Sequence, residues 1–224
     1  MKEKFAVFAQ NLAYYNEGML VGDWIELPQL PEIIDKYLKE TVKIDEEHEE
    51  YEIADIDKVP FPYSSIQWSD LHELNNLAII YNTLTIEQKE AIQAYLESDG
   101  EEHYCISELI NICLQADEID YYRYYFEGIK YSQDCPPEIK MGYTMAEEFG
   151  IHQTLEKLGI LDYFDFEKYG NSFGYDYNLL ENGYFTYEHN LDPNYYSKEE
   201  IQEKIESILL QNKNKEENDY EKAI

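Results

Sequence analysis

The sequence predicts an α+β fold: an elongated chain of three small domains (α+β, mainly helical, α+β) with a C-terminal helical extension. Three observations predict it. Strand-like runs stand near both ends: Phe5 to Ala9 and Met19 to Leu27 early, then Tyr175 to Tyr187, broken by Asn182-Gly183. An Asn-Gly pair flanked by such residues is a strong hairpin signal. Between them lie stretches with apolar residues at helical spacing. The net charge is −31, and such charge repels itself in a compact body, which an elongated shape relieves.

The first domain is expected over residues 1–68. Its two opening strands are joined by a polar loop through Asn11 and Gly18, and Pro28 and Pro31 punctuate the chain after the second strand. Ile33, Ile34, Tyr37, Leu38 and Thr41 then keep helical spacing. From Asp45 to Asp57 come eight carboxylates without a lysine or arginine, and Tyr51, Ile53 and Ile56 mark a third strand within that run.

The middle domain, 69–118, reads as three short helices. Ser69 opens the first, striped by Leu71, Leu74, Leu77, Ala78, Tyr81 and Leu84. Thr85-Ile86-Glu87-Gln88 is a capping box, in which hydroxyl and amide satisfy each other's orphan amides, and it starts a helix to about Ser98. The third runs from about Ile106 to Gln115, with Ile106, Leu109, Ile110 and Cys113 inward. This domain has eleven acids and one base, Lys89. Helical surfaces usually interleave both signs and gain i,i+4 support. Here that support is given up, which points to the negative field itself as the selected property.

The third domain, 119–190, starts with the aromatic strand-like run Asp120 to Phe126. Pro137 suits the first position of a helix whose inner stripe is Ile139, Tyr143, Ala146 and Phe149, ended by Gly150. Ile151, Leu155 and Leu158 continue as another helix that closes at Gly159. A further short helix covers about Asp162 to Tyr169, with Gly170 as its natural end. The stretch Leu158 to Gly170 is too apolar for a surface turn and carries Asp162, Asp165 and Glu167 among its aromatics. An apolar stretch rimmed by charge fits core or the centre of a subunit interface. The extension, 191–224, has a capping box at Ser197-Lys198-Glu199-Glu200 and a helix with Ile201, Ile205, Ile208 and Leu209 inward, ending near Gln211 before a frayed tail. It reads as a decoration, an extra interaction arm or a helix packed back on the third domain, the last being favoured.

Composition narrows the function. With 44% hydrophobic and 15% aromatic residues the chain can bury cores, so it is not a disordered acidic polymer. Sixteen of the seventeen basic residues are lysine, and no basic patch exists to neutralise phosphates, which disfavours direct nucleic-acid binding. Three cysteines without C-x-x-C spacing suit a reducing cytoplasm. No run is long enough for a signal segment or a membrane span. The five histidines have no metal-ligand spacing, and phosphate-loop and nucleophile-elbow motifs are missing. Neither catalysis nor a cofactor is expected.

Residue patterns carry a resemblance. Leu161 to Gly170 followed by Asn182-Gly183-Tyr184-Phe185 resembles the C-terminal part of the ArdA family of antirestriction proteins. Asn11, Tyr15-Asn16-Glu17-Gly18 and Gly22-Asp23-Trp24-Ile25-Glu26-Leu27 resemble its N-terminal part, and Asp57 to Phe61 a segment between, all in family order. The resemblance implies an elongated, curved homodimer of three small domains that mimics B-form DNA and is carried by mobile elements. It implies occupation of the DNA-binding groove of type I restriction–modification enzymes, chiefly the methyltransferase core of specificity and modification subunits. The family's antirestriction motif lies at the dimer interface, here Leu158, Leu161, Tyr163, Phe164, Phe166 and Tyr169. The extension and a somewhat different middle domain depart from the family pattern.

The charge fits that picture on physical grounds. Carboxylates three or four apart on a helix stand about 5–6 Å apart at Cβ, close to the phosphate spacing along a strand. One candidate track is Asp45, Glu46, Glu47, Glu49, Glu50, Glu52, Asp55 and Asp57. The other is Glu97, Asp99, Glu101, Glu102, Glu108, Asp117, Glu118 and Asp120. A dimer would carry −62, twice −31, the charge of about 105 Å of duplex. Two other classes share the acidity: an inhibitor of a different DNA-handling protein, such as a CRISPR effector or nucleoid protein, and an adaptor whose charge serves solubility.

Overall fold

The computed structural model describes residues 4–99, 103–125, 135–186 and 191–222. It is α+β, with helices around two small antiparallel sheets. The chain divides into two compact units. One comprises Met1–Lys89, Glu101–Ala116 and Asp192–Ile224; the other comprises Glu90–Gly100 and Asp117–Leu191.

In the first unit, β1 (Phe5–Asn11) is the central strand of a sheet ordered β2-β1-β3, with β2 (Gly22–Leu27) and β3 (Tyr51–Asp57) antiparallel on either side. Alternation puts Phe5, Val7 and Ala9 inward with Ile25, Leu27 and Ile53. The loop expected after β1 contains one helical turn, α1 (Leu12–Asn16). Asn11 starts it: its side-chain Oδ1 accepts from the Ala13 and Tyr14 amides, while its side-chain Nδ2 donates to the carbonyls of Lys43 and His48. Helix α2 (Pro31–Tyr37) runs into a wider π-helical turn at Leu38–Val42.

After the short α3 (Tyr63–Ile66), helix α4 (Leu71–Tyr81) is the pillar of this unit. It packs on β2, α2, α6 (Ile106–Leu114) and the C-terminal helix. Its predicted stripe is buried except for the last member, Leu84, which is half-buried. The capping box at Thr85 forms as read, with Gln88 accepting from the Thr85 amide and Thr85 from the Gln88 amide, and starts α5 (Ile86–Asp99). The C-terminal helix, Lys198–Lys222, also has its predicted box, between Ser197 and Glu200, but runs past Gln211. It packs on α4 in the first unit. Buried amides hold its approach: Asn111 takes the Tyr196 amide at 2.7 Å, and Gln115 donates to the Asp192 carbonyl at 2.8 Å. Those amides are polar residues on a helix read for its apolar stripe, so the stripe alone does not reveal the dock.

The second unit is arranged about α7 (Pro137–Glu148). One side of α7 places Met141 and Met145 on Tyr184 of the sheet β4-β6-β5, built from β4 (Tyr121–Arg123), β5 (Tyr177–Leu179) and β6 (Gly183–Thr186). Another side brings Ala146 against α8 (Ile151–Leu158) and α9 (Phe166–Asn171) through Leu155 and Phe166. Because α7 is covered on two sides, its buried set differs from the single predicted stripe: Ile139 and Tyr143 are only half-buried, and Phe149 is exposed. Phe126 and Tyr187, read as strand residues, lie outside the described residues.

Gly170 does not end α9; it lies inside it. A Cβ there would stand 1.7 Å from the Glu138 carbonyl oxygen, and one at Gly142 would stand 1.9 Å from that of Phe166. The two backbones touch through paired glycines, so the missing side chains set the interhelical distance. Gly170→Ala is expected to force α7 and α9 apart and destabilise this unit by about 3 kcal/mol, read as a lower urea midpoint. An unchanged midpoint would refute the close crossing.

Three phenols are held neutral by the fold. Burial is the main reason that Tyr37, Tyr51 and Tyr184 are each pushed up to about 12. A raised folded-state value contributes stability that is complete below the unfolded value of about 10 and is lost as pH rises through about 12. Unfolding by urea at stepped pH should therefore show a plateau to about pH 9 and a fall between about 10 and 12. Tyr37→Phe and Tyr51→Phe should each make that fall shallower.

Candidate acidic interaction surface

The Asp45 to Asp57 track is a loop followed by a strand. The Asp45 carboxylate accepts from the amides of Glu47 and His48 and contacts the His48 ring at 3.0 Å. These bonds, the Glu47 amide first, hold it below the usual carboxylate range. His48 lies flat on Tyr14 at 4.1 Å. The loop is therefore anchored from within, and Asp45, Glu46, Glu47, Glu49 and Glu50 are exposed. Glu52 is half-buried and accepts from Gln10 at 2.6 Å and Gln67 at 3.3 Å, so it serves the fold.

On β3, Asp55 and Asp57 share the outer sheet face, about 6.7 Å apart at the rise of a strand. Register adds a member that sequence order hides. Ala6 pairs with Asp57 on one side and Glu26 on the other, and Phe8 pairs with Asp55 and Trp24. Glu26 thus stands across the sheet from Asp57, two strand spacings or about 10 Å away. Its carboxylate is drawn below the usual range by Lys4, which bonds it at 2.6 Å. Phe8 and Trp24 meet edge to face at 5.8 Å between the carboxylates. Only the strand register joins Glu26 and Trp24 to this face, since they lie some thirty residues upstream of Asp55 and Asp57.

The second track is less uniform. Glu97 on α5 and Asp117, Glu118 and Asp120 about the 3-10 turn Ala116–Glu118 are exposed members of the second unit. Glu108 belongs to the first unit, half-buried, with its carboxylate accepting from the Cys105 amide to cap α6. Asp99 closes α5, and Glu101 and Glu102 lie outside the described residues. Arg123 spends its charge within its own unit, forked onto both carboxylate oxygens of Glu90.

The apolar stretch divides in two. Phe166 is buried against Ala146 and Leu155, with Phe164, Tyr169 and Leu161 half-buried around it. Tyr143 stacks on Phe166 at 3.7 Å. Leu158, Ile160 and Tyr163 face outward instead, and Tyr163 is 87% exposed. The local chain explains the division. Helix α8 stops at Gly159, whose φ of 66° is the left-handed conformation glycine adopts freely. The predicted helix then forms as a 3-10 turn, Leu161–Tyr163, and α9, which Asp165 caps by accepting from the Lys168 amide at 2.9 Å. That break turns Tyr163 outward and Phe166 inward.

Among the described residues no cluster of His, Cys, Asp or Glu could hold a metal ion, and no helix is long and apolar enough to cross a membrane. The family model described as antirestriction protein (ArdA) matches residues 7–186. A search among curated proteins gives no match.

Proposed function

The chain belongs to the ArdA family of antirestriction proteins, and we propose that it exerts that function as a mimic of B-form DNA. Its carboxylates occupy the DNA-binding groove of a type I restriction–modification enzyme, at the methyltransferase core formed by specificity and modification subunits. Restriction is blocked because the groove cannot hold duplex, and modification is blocked for the same reason. The observation that carries this reading is the exposed acid of the first unit: Asp45, Glu46, Glu47, Glu49 and Glu50 on an internally anchored loop, and Asp55, Asp57 and Glu26 on the outer face of the sheet, the last two beside Lys58 and Lys4. A groove shaped for phosphates offers lysines and arginines at intervals, and fixed carboxylates at comparable intervals answer them.

A second copy completes the inhibitor. Leu158, Ile160 and Tyr163 are apolar, outward and close together in the chain, which suits the centre of an interface between protomers. Phe166 supports this contact from the core beneath. Tyr163→Asp, which adds charge at an exposed position, should leave each protomer folded and shift the species seen in sedimentation from dimer to monomer. A variant that still sediments as a dimer would place the contact elsewhere.

Competition tests the mimicry. A type I methyltransferase core is bound to labelled duplex, and the protein is titrated in at two salt concentrations. Stoichiometric displacement that weakens steeply with salt is expected. Single changes such as Asp55→Asn or Glu49→Gln should each alter it less than about threefold, because exposed charges contribute little one at a time. No displacement at either salt would refute this target. A single carboxylate change that abolished displacement without unfolding the protein would refute distributed charge.

A further inference from the structure

The first unit contains an open cleft of about 510 Å³ between the turn joining α3 to α4 and the start of α6. That volume lies in the range of pockets that take a small organic group. Trp68 lines it and is 66% exposed. Asp70, Glu73 and Glu108 line it as well, and none of its lining residues is a lysine or arginine.

The walls are set by the fold. Asp70 Oδ1 accepts from the amides of His72 and Glu73 and caps α4. Glu108 Oε2 accepts from the Cys105 amide and caps α6. The Tyr104 amide donates to Ser65 Oγ at 3.1 Å and fastens one wall to the other. The two helix N-termini are thereby answered by their own caps. Each capping carboxylate uses one oxygen for its cap. The second oxygen of Asp70 has only a long contact from the Tyr51 hydroxyl, at 3.5 Å, and can take a stronger donor. Glu73 meets Lys198 at 3.6 Å in an exposed pair, and such a pair exchanges partners at little cost.

An aromatic face among carboxylates complements a cation. Tryptophan attracts cations more strongly than the other aromatic residues. Arginine suits the site better than lysine, because its planar guanidinium stacks on a ring while its edge donors fork to carboxylates. We propose that this cleft takes an arginine side chain of the target protein, stacked on Trp68 and bonded among Asp70, Glu73 and Glu108. The proposal rests on the mimicry reading for its partner, since a groove that binds DNA is where arginines stand exposed to meet phosphates.

The test has two arms. The chain has two tryptophans, so in Trp24→Phe the remaining tryptophan fluorescence is that of Trp68. This variant is titrated through the millimolar range with acetyl-Gly-Arg-Gly-amide and with the same peptide carrying neutral citrulline. A saturable change with the arginine peptide, at least about tenfold weaker with citrulline, is expected. In the second arm Trp68→Ala and Glu73→Gln are compared with the unaltered protein in displacing duplex from the methyltransferase core. Trp68→Ala should require about ten times more protein, with Glu73→Gln intermediate and thermal unfolding unchanged. If the unaltered protein displaces duplex while neither peptide changes the emission and both variants match it, the cleft is overturned and the mimicry stands. If the arginine peptide saturates Trp68 but no duplex is displaced, the mimicry is overturned and the cleft stands as an arginine site.

Discussion

Forty-eight carboxylates against seventeen basic side chains impose the constraint on which the rest of the structure depends. Such an excess cannot be neutralised pairwise, and a buried unpaired carboxylate costs several kcal/mol. The described structure accordingly buries no aspartate or glutamate. Many of its interior polar contacts are made by uncharged amides instead. Asn75 grips the Gln29 backbone from both sides, accepting its amide at 2.7 Å and donating to its carbonyl at 3.1 Å. Asn11 joins β1 to the acidic loop, and Asn111 and Gln115 dock the approach to the C-terminal helix. An amide can donate and accept with no net charge, so it fastens a core without deepening the negative field.

The carboxylates with a structural role sit where the backbone itself supplies positive potential. Asp70, Glu108, Asp165 and Glu200 each accept from amides at a helix start. There the orphan N–H groups and the helix dipole favour an anion. Lateral support along helices is scarce by comparison, with Lys36–Glu40 a rare i,i+4 ion pair among the described residues. Helices of this chain are held by their ends and by their apolar faces. Their outer surfaces carry the excess of negative charge.

This also explains what is legible in the sequence. The capping boxes at Thr85 and Ser197 are read correctly because a cap is decided within four residues. The stripes of α4 and α6 follow equally from local periodicity. Gly170 is misread as a helix end because a close helix crossing depends on its partner, Gly142, twenty-eight residues away. The stripe of α7 is misjudged because periodicity assumes one covered side where the fold covers two. Among the site residues, the exposed run from Asp45 to Glu50 can be seen in sequence, since eight carboxylates within thirteen residues cannot all be buried. The inward turn of Phe166 and the outward turn of Tyr163 are missed, because the stretch is read as one helix where the Asp165 cap starts α9 afresh after a 3-10 turn.

Charge and apolar contact bear oppositely on the proposed inhibitor. Two copies at −31 each repel, so their contact must come from a patch whose gain is set by apolar area and little altered by salt. Leu158, Ile160 and Tyr163 have that character, while neighbouring Asp162 resists close approach unless it stays at the rim. Salt screens this repulsion and favours the pair. It also screens the attraction between carboxylates and a basic groove, and so disfavours the complex. The two associations thus respond in opposite directions to one variable. The proposed arginine cleft lined by Trp68 would shift that balance, because stacking on a ring persists where long-range attraction is screened. Distributed carboxylates then supply rate and breadth of approach, and a few short-range contacts retain the complex once it has formed.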